Sequence, residues 1–293
     1  MLREQLRNTV DLRFATSVAV VHHTAEGVQV TLSDGSALAA DLLVGADGIH
    51  STVRGLVFGE EHCFLRYLGF HTAAFIFANP RIHAEVNGRL CLTDTIDRQM
   101  GLYGLRDGRV ATFAVHRTPD RRLPHDPAAA IRREYGSLGW IIPRAVQRCP
   151  SAGEVYYDQV AQIELPRWSR HRVVLLGDAA YAVSLLASQG ASLAIAGAYV
   201  LAEQLARCSS VETALDRYER LWRPVAEEKQ QVARDGVRWF LPQSRAQLRA
   251  RHIVMRLSRL PGIDRYIAGA LAGKSTALVK NLATSGAKTD PLC

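Results

Sequence analysis

The chain has 293 residues and a mass of 32.3 kDa, with 48% hydrophobic and 22% charged residues. At about 100–200 residues per domain this is one large domain or two small ones, and the apolar content excludes wholesale disorder. Lys+Arg number 36 against 28 Asp+Glu, a formal net charge of +8, which invites an anionic partner (nucleic acid, anionic lipid or a phosphorylated ligand) without selecting one.

The first residues, Met1-Leu2-Arg3-Glu4-Gln5-Leu6-Arg7, are charged and hold no apolar run, so no signal peptide is expected. Val10–Phe14 and Val18–His22 predict strands, the second rich in β-branched residues, and Val28–Leu32 alternates at the strand period. Ser33-Asp34-Gly35-Ser36 is a tight-turn signal leading to a strand at Asp41–Ala46, whose Leu42-Leu43-Val44 run predicts burial on both faces.

From about 65 to 165 the texture changes. Leu68–Ala78 is apolar and aromatic, Gln99–Leu105 and Arg109–His116 flank the hairpin signal Asp107-Gly108, and Val155–Leu165 returns to strand. Asp126 followed by Pro127 predicts the start of a short helix reaching Tyr135. Together these predict a mostly antiparallel sheet set between two more deeply buried stretches.

Arg172–Leu176 predicts a buried strand, and Gly190–Arg207 a helix so apolar all round that an interior position is expected. Ala179–Ala202 carries no charge over a length that could span a bilayer, about 20 residues. Ser184, Ser188, Gln189 and Ser192 interrupt it, so a loop and a helix are expected rather than a transmembrane span. Beyond Ser209 the chain reads as charged helix. Its last clear segment is capped by Ser244, carries Leu248, Ile253, Val254, Leu257 and Leu260 on one face, and stops at Pro261-Gly262.

Two junctions could carry chemistry: Val44-Gly45-Ala46-Asp47-Gly48 and Leu175-Leu176-Gly177-Asp178-Ala179-Ala180. In each an apolar strand ends in glycine beside aspartate, the place where open α/β sheets bind ligands. A carboxylate there can accept hydrogen bonds from sugar hydroxyls, and glycine lets backbone approach a ligand. The plain alternative is that both aspartates cap turns or helices. The second junction runs through Ser188-Gln189-Gly190-Ala191 into the apolar helix, whose amino end favours an anion or an electron-rich carbonyl.

Asp41–Arg54, with its Asp47-Gly48, resembles the "DG" motif of the flavoprotein aromatic hydroxylases, the single-component FAD-dependent monooxygenases. Arg172–Ala180, running on to Gln189-Gly190-Ala191, resembles their "GD" motif. The resemblance implies that Asp178, after Gly177, holds the ribityl chain of FAD. Gln189, Gly190 and Ala191 would present backbone N–H groups to the flavin, and Asp47, Gly48 and Arg54 would serve FAD and NAD(P)H. The flavin then carries the oxygen chemistry, and no protein acid or base is assigned. By itself Arg54 reads as a plain surface arginine.

The chain departs from the family pattern at Tyr181, commonly His, and at Ser184 and Leu185, often prolines. It also contains no G-x-G-x-x-G, the fingerprint that grips the FAD pyrophosphate. Arg3-Glu4-Gln5-Leu6 looks like the family's "R-x-x-L" helix, so the expectation is a chain lacking the first β-α-β unit that binds FAD weakly or not at all on its own.

The fold class expected is therefore α/β. A discontinuous, N-terminally truncated FAD-binding domain (1–62 and 166–208) surrounds an antiparallel substrate sheet (63–165), and helices follow (209–293). The expected function is hydroxylation of an aromatic or polyketide-like small molecule with NAD(P)H and O2. The alternative is a non-catalytic remnant or interaction protein of the same fold. Residues 236–263 hold six arginines and no acid, which raises a membrane-surface or nucleic-acid role, but only Trp239 and Phe240 offer aromatic interleaving, so no specific nucleic acid is expected. Tyr156, Tyr157, Trp168, Phe75 and Phe77 could line an aromatic pocket or belong to the core. His22-His23 has no third ligand at metal spacing. Cys63, Cys91, Cys149, Cys208 and Cys293 are odd in number and lack C-x-x-C, which points to a reducing, cytoplasmic setting.

Overall fold

The computed structural model describes residues 10–184 and 189–257. The expectations for Arg3–Leu6, Leu185, Ser188, Leu260–Gly262 and Cys293 lie outside them. Strands β1 (Val18–His23), β2 (Val28–Leu32) and β3 (Ala37–Ala40) form an antiparallel sheet in that order. The turn at Asp34 closes as its sequence dictates: the Asp34 carboxylate accepts from the Ser36 N–H at 2.9 Å, and Gly35 takes φ +84°. It returns the chain onto β3, however, and not onto the Leu42–Val44 run. Val10–Phe14 forms no strand; its Val10, Leu12 and Phe14 side chains are exposed, because an alternating apolar pattern without a ladder partner fixes nothing.

β4 (Leu43–Gly45) leaves for another sheet, and α1 (Thr52–Val57) follows it. The largest sheet comes next. It is built from β5 (Leu65–Ala74), β6 (Ile76–Ala78), β7 (Cys91–Leu92), β8 (Arg98–Gly104), β9 (Arg109–Arg117) and β10 (Tyr156–Ile163), with α2 (Pro80–Val86) inside the run. The order is β10-β5-β9-β8-β7, antiparallel throughout, with β6 on β9. Asn79 caps α2 as Asp126 caps α3 (Pro127–Tyr135), each by accepting from the N–H three residues on. Asn79-Pro80 thus carried the same signal as Asp126-Pro127.

Helices α2, α3 and α4 (Ile142–Val146) cover one face of this sheet over Ala73, Phe75, Phe77, Met100, Ile131 and Ile142, so both phenylalanines are core. The same face buries His71 and His116, opposite each other on β5 and β9. His116 Nδ1 lies 2.9 Å from the Tyr135 hydroxyl, and burial pulls its imidazole down to about 4. Its folded-state value is below the unfolded 6.5, so the stability it contributes is whole above pH 6.5 and lost as pH falls toward 4. About 3 kcal/mol should disappear over that window. Urea titrations from pH 7.5 down to 4.5 should show it, and His116→Phe should flatten the slope.

β11 (Ser169–Arg170) and β12 (Val173–Leu175) complete a third sheet, order β11-β12-β4. β4 is its edge, and Val44 is exposed rather than buried on both faces. α5 (Asp178–Tyr181), α6 (Gly190–Arg207) and α7 (Val211–Phe240) close the core around Val174, Trp168, Tyr181, Leu193, Val200, Tyr218 and Trp222. α6 has the bounds expected of it, but only Leu193, Gly197, Val200, Leu201 and Gln204 are buried; Ile195 is 73% and Tyr199 57% exposed. A helix apolar all round can still have one bare side, since composition does not say how many neighbours arrive. α8 (Arg245–Leu257) ends the described chain, its Ser244 cap accepting from the Gln247 N–H at 3.2 Å. Among the described residues no helix is long and apolar enough to cross a membrane.

Candidate functional site

The two junctions leave the same end of one parallel strand pair. β12 runs parallel to β4 with Val173 opposite Leu43 and Leu175 opposite Gly45, and the Leu176 N–H donates to the Gly45 carbonyl at 2.9 Å. Gly45 is required by packing: a Cβ there would stand 2.7 Å from Leu175 and 2.9 Å from Val53. Past this point the chain turns at Gly48 (φ +84°) on one strand and at Gly177 (φ +61°) on the other.

Asp47 uses its carboxylate locally. One oxygen accepts from the Ser51 hydroxyl at 2.5 Å and the other from the Val53 N–H at 3.0 Å, while Ser51 caps α1 through the Arg54 N–H. This is the capping role, and it sets the turn that carries Gly48. Arg54 is no surface residue: it is 0% exposed. Its guanidinium donates to the Ala179 carbonyl at 3.0 Å, the Ile49 carbonyl at 2.6 Å and the Glu61 carboxylate at 2.9 Å, tying the first turn to the helix that begins at Asp178. Burial lowers its pKa, opposed by Glu61 and Asp47; its ion pair with Glu61 keeps the buried charge compensated.

Asp178 differs from Asp47. Its side chain keeps an open side to solvent, yet no donor among the described residues reaches it, and the surrounding protein pushes its carboxyl above the usual range. The amino end of α6 faces it. A Cβ on Gly190 would lie 3.4 Å from Asp178 Oδ1, and Gln189 leads into the helix without a side-chain cap hydrogen bond. Gly177, Asp178, Gln189, Gly190 and the exposed Ala191 therefore meet at one mouth, where α6 begins without a side-chain cap from Gln189, beside a carboxylate that no donor among the described residues reaches.

A second group of residues escaped the sequence reading. His50 lies between two carboxylates: Nε2 is 2.9 Å from Asp158 on β10, and Nδ1 is 3.0 Å from Glu61. Tyr156 donates to the same Asp158 carboxylate at 3.1 Å. Burial alone would lower His50, but the hydrogen bonds to Asp158 and Glu61 outweigh it and hold the imidazolium above its ordinary range. Tyr156 is pushed up to about 12 by burial, then by Asp158, with Asp178 adding to it. The chain Ala179–Arg54–Glu61–His50–Asp158–Tyr156 thus joins both turns to the edge of the large sheet. Of the aromatic residues proposed for a pocket, Tyr156 faces this region, whereas Trp168 is core. A separate cavity of about 590 Å³, lined by Phe58, Phe64, Leu165, Arg170, Glu212 and Leu215, includes none of these groups.

Comparison with known proteins settles the family. Residues 1–233 match the FAD binding domain family. The chain belongs to that family. This FAD-binding-domain chain is 31% identical over 232 residues to a flavin-dependent monooxygenase of an unknown prokaryotic organism, a match covering 76% of the chain and 58% of that relative. It is 30% identical over 277 residues to the FAD-dependent monooxygenase asL6 of Sarocladium schorii, covering 87% and 63%. An uncharacterized Mycobacterium tuberculosis protein is 35% identical over 202 residues, covering 67% and 54%. The chain thus spans roughly half to three fifths of the length of these curated relatives. Its fold is that of the tetracycline destructase Tet(55) (TM-score 0.72, 23% identity, 87% of this chain and 67% of that one). It is also that of Klebsiella pneumoniae HpxO complexed with FAD and uric acid (TM-score 0.68, 22% identity, 87% and 64%). The mixed α/β architecture, with its antiparallel sheet and closing helices, is the one these proteins share.

Proposed function

We propose that this chain is the flavin- and substrate-holding part of an FAD-dependent monooxygenase that uses NAD(P)H and O2 on an aromatic or polyketide-like small molecule. The observation that carries the reading is the mouth at Asp178: an open carboxylate, a positive-φ glycine before it, and the amino end of α6 within reach. A flavin nucleotide suits that mouth. Asp178 would accept from ribityl hydroxyls, and the Gly190-Ala191 amides would hold the electron-rich edge of the ring. Asp47 and Gly48 shape the facing turn, and Arg54 acts through both turns as a positioning residue. When bound, FAD supplies the redox and oxygen chemistry, and NAD(P)H the electrons. The protein's own part is to orient and to exclude water, with Tyr156 and Asp158 at the sheet edge as the polar wall for the substrate.

The test is an FAD titration of the 293-residue chain, followed by flavin absorbance. Weak binding is expected, since no G-x-G-x-x-G occurs in it and β4 has no described strand on its outer edge. Asp178→Asn should weaken it a further 10–100-fold, the loss of a charge-assisted hydrogen bond. The raised Asp178 carboxyl makes a second expectation. Its stabilising contribution is present below the unfolded pKa and lost as pH rises through the folded one, so at neutral pH the charge costs stability. Asp178→Asn should therefore raise the melting temperature without FAD while lowering flavin affinity. Unchanged affinity in Asp178→Asn, or no flavin binding at any concentration, would refute this assignment; stoichiometric tight binding by the chain alone would overturn only the expectation of weak binding.

A further inference from the structure

Helix α8 is inverted relative to an ordinary surface helix. Arg251 is turned inward, donating to the Phe240 carbonyl at 2.7 Å and pairing with Asp94, and His252 reaches the same carboxylate at 3.1 Å. Two of its aliphatic side chains point away: Ile253 is 59% and Val254 48% exposed, and Ala246 and Ala250 are exposed with them, whereas Leu248 is half-buried. At about 100° per residue these four positions share one arc of roughly 100°. Arg245, Arg249 and Arg256, all exposed, occupy an adjoining arc of about 40°. Of the apolar face expected from the sequence, Ile253 and Val254 are turned to solvent and Leu248 is half-buried. From 236 to 263 there are six arginines and no acidic residue, so no acid within the segment neutralises the stripe.

An apolar arc beside an arginine arc needs a partner that is apolar and anionic at adjacent depths. A nucleic-acid backbone supplies only the charge. A second copy of this chain would set arginine against arginine. An anionic bilayer supplies both, with headgroup phosphates at the depth of the arginines and the acyl boundary at the depth of Ile253 and Val254. We propose that α8 seats this protein on anionic membrane surfaces, lying in the plane of the interface with Ile253 and Val254 inserted. The attachment is peripheral and does not depend on the flavin reading.

The test is co-sedimentation of the full chain with phosphatidylcholine vesicles, with and without phosphatidylglycerol, at low and physiological salt. Binding should require phosphatidylglycerol and weaken with salt. Arg245→Gln, Arg249→Gln and Arg256→Gln together should lower affinity about a hundredfold, roughly fivefold for each arginine. Ile253→Asp with Val254→Asp should lower it at least about tenfold through lost apolar insertion. In the unaltered protein, amide exchange across Arg245–Leu257 should slow when anionic vesicles are added. The proposal is overturned by absence of vesicle binding, by equal binding to neutral vesicles, or by binding that Ile253→Asp with Val254→Asp leaves unchanged. Tighter binding to duplex DNA than to anionic vesicles would overturn it equally.

Discussion

Arg54→Met should lower stability by about 3 kcal/mol and loosen flavin binding in the same protein. The size follows from what the guanidinium satisfies. It is fully buried and donates to two carbonyls, Ile49 and Ala179, that lie on different turns, and it pairs with Glu61. Methionine fills the volume but leaves those acceptors without a donor. Arg54→Lys should recover only part of the loss, because a single ammonium cannot fork across three partners. Urea unfolding measures the first effect. An FAD titration at a temperature where both variants are folded measures the second, which a merely destabilising change would not move. If Arg54→Met lies within 1 kcal/mol of the unaltered protein, about the value of a single neutral hydrogen bond, the brace is not there.

The difference between Arg54 as it reads in the sequence and Arg54 as it folds shows where sequence reasoning stops. The DG and GD turns were legible because each is set by neighbours a few positions away: glycine before aspartate, serine at a cap, an apolar strand leading in. Helix α6 was found with its ends in place for the same reason. The parallel pairing of β4 with β12 joins residues far apart in the chain, and no local pattern shows that β3 ends one sheet and β4 starts another. The resemblance to the aromatic hydroxylases put both stretches in one expected domain, but it named no strand pairing. His50 stood inside the quoted motif, yet its partners Asp158 and Glu61 are ordinary acids until the sheet brings them together. Direction was illegible for α6 and α8 alike. Each shows its apolar residues plainly, and only the fold reveals that Ile195 and Ile253 face outward.

Gly197→Ala should cost about 2 kcal/mol although it improves helix propensity, and the fault should be repaired by a second change at Tyr181. Alanine in place of glycine in a helix interior gains about 1 kcal/mol. Against that, a Cβ at position 197 would overlap the Tyr181 hydroxyl and stand 2.7 Å from Trp222 Nε1. Neither ring can give way easily. Tyr181 lies with its ring centroid 4.6 Å from that of Trp168, Trp168 stands 5.8 Å from Tyr218 and beneath Arg223, and all of these are held by the buried core between α5, α6 and α7. Overpacking of this kind costs about 1–3 kcal/mol, and with two rigid neighbours the upper end applies, so the clash outweighs the propensity gain. Tyr181 is also the residue that departs from the family's usual histidine. Its hydroxyl fills the space a side chain at 197 would need, so the larger residue is tolerated because its neighbour is glycine. Tyr181→Phe removes that oxygen at the cost of a long contact to the Tyr218 hydroxyl, 3.5 Å away. Combined with Gly197→Ala it should restore most of the stability, a coupling of about 1–2 kcal/mol in a double-mutant cycle. Additive losses would mean that α6 is set by its other contacts and that the glycine is incidental.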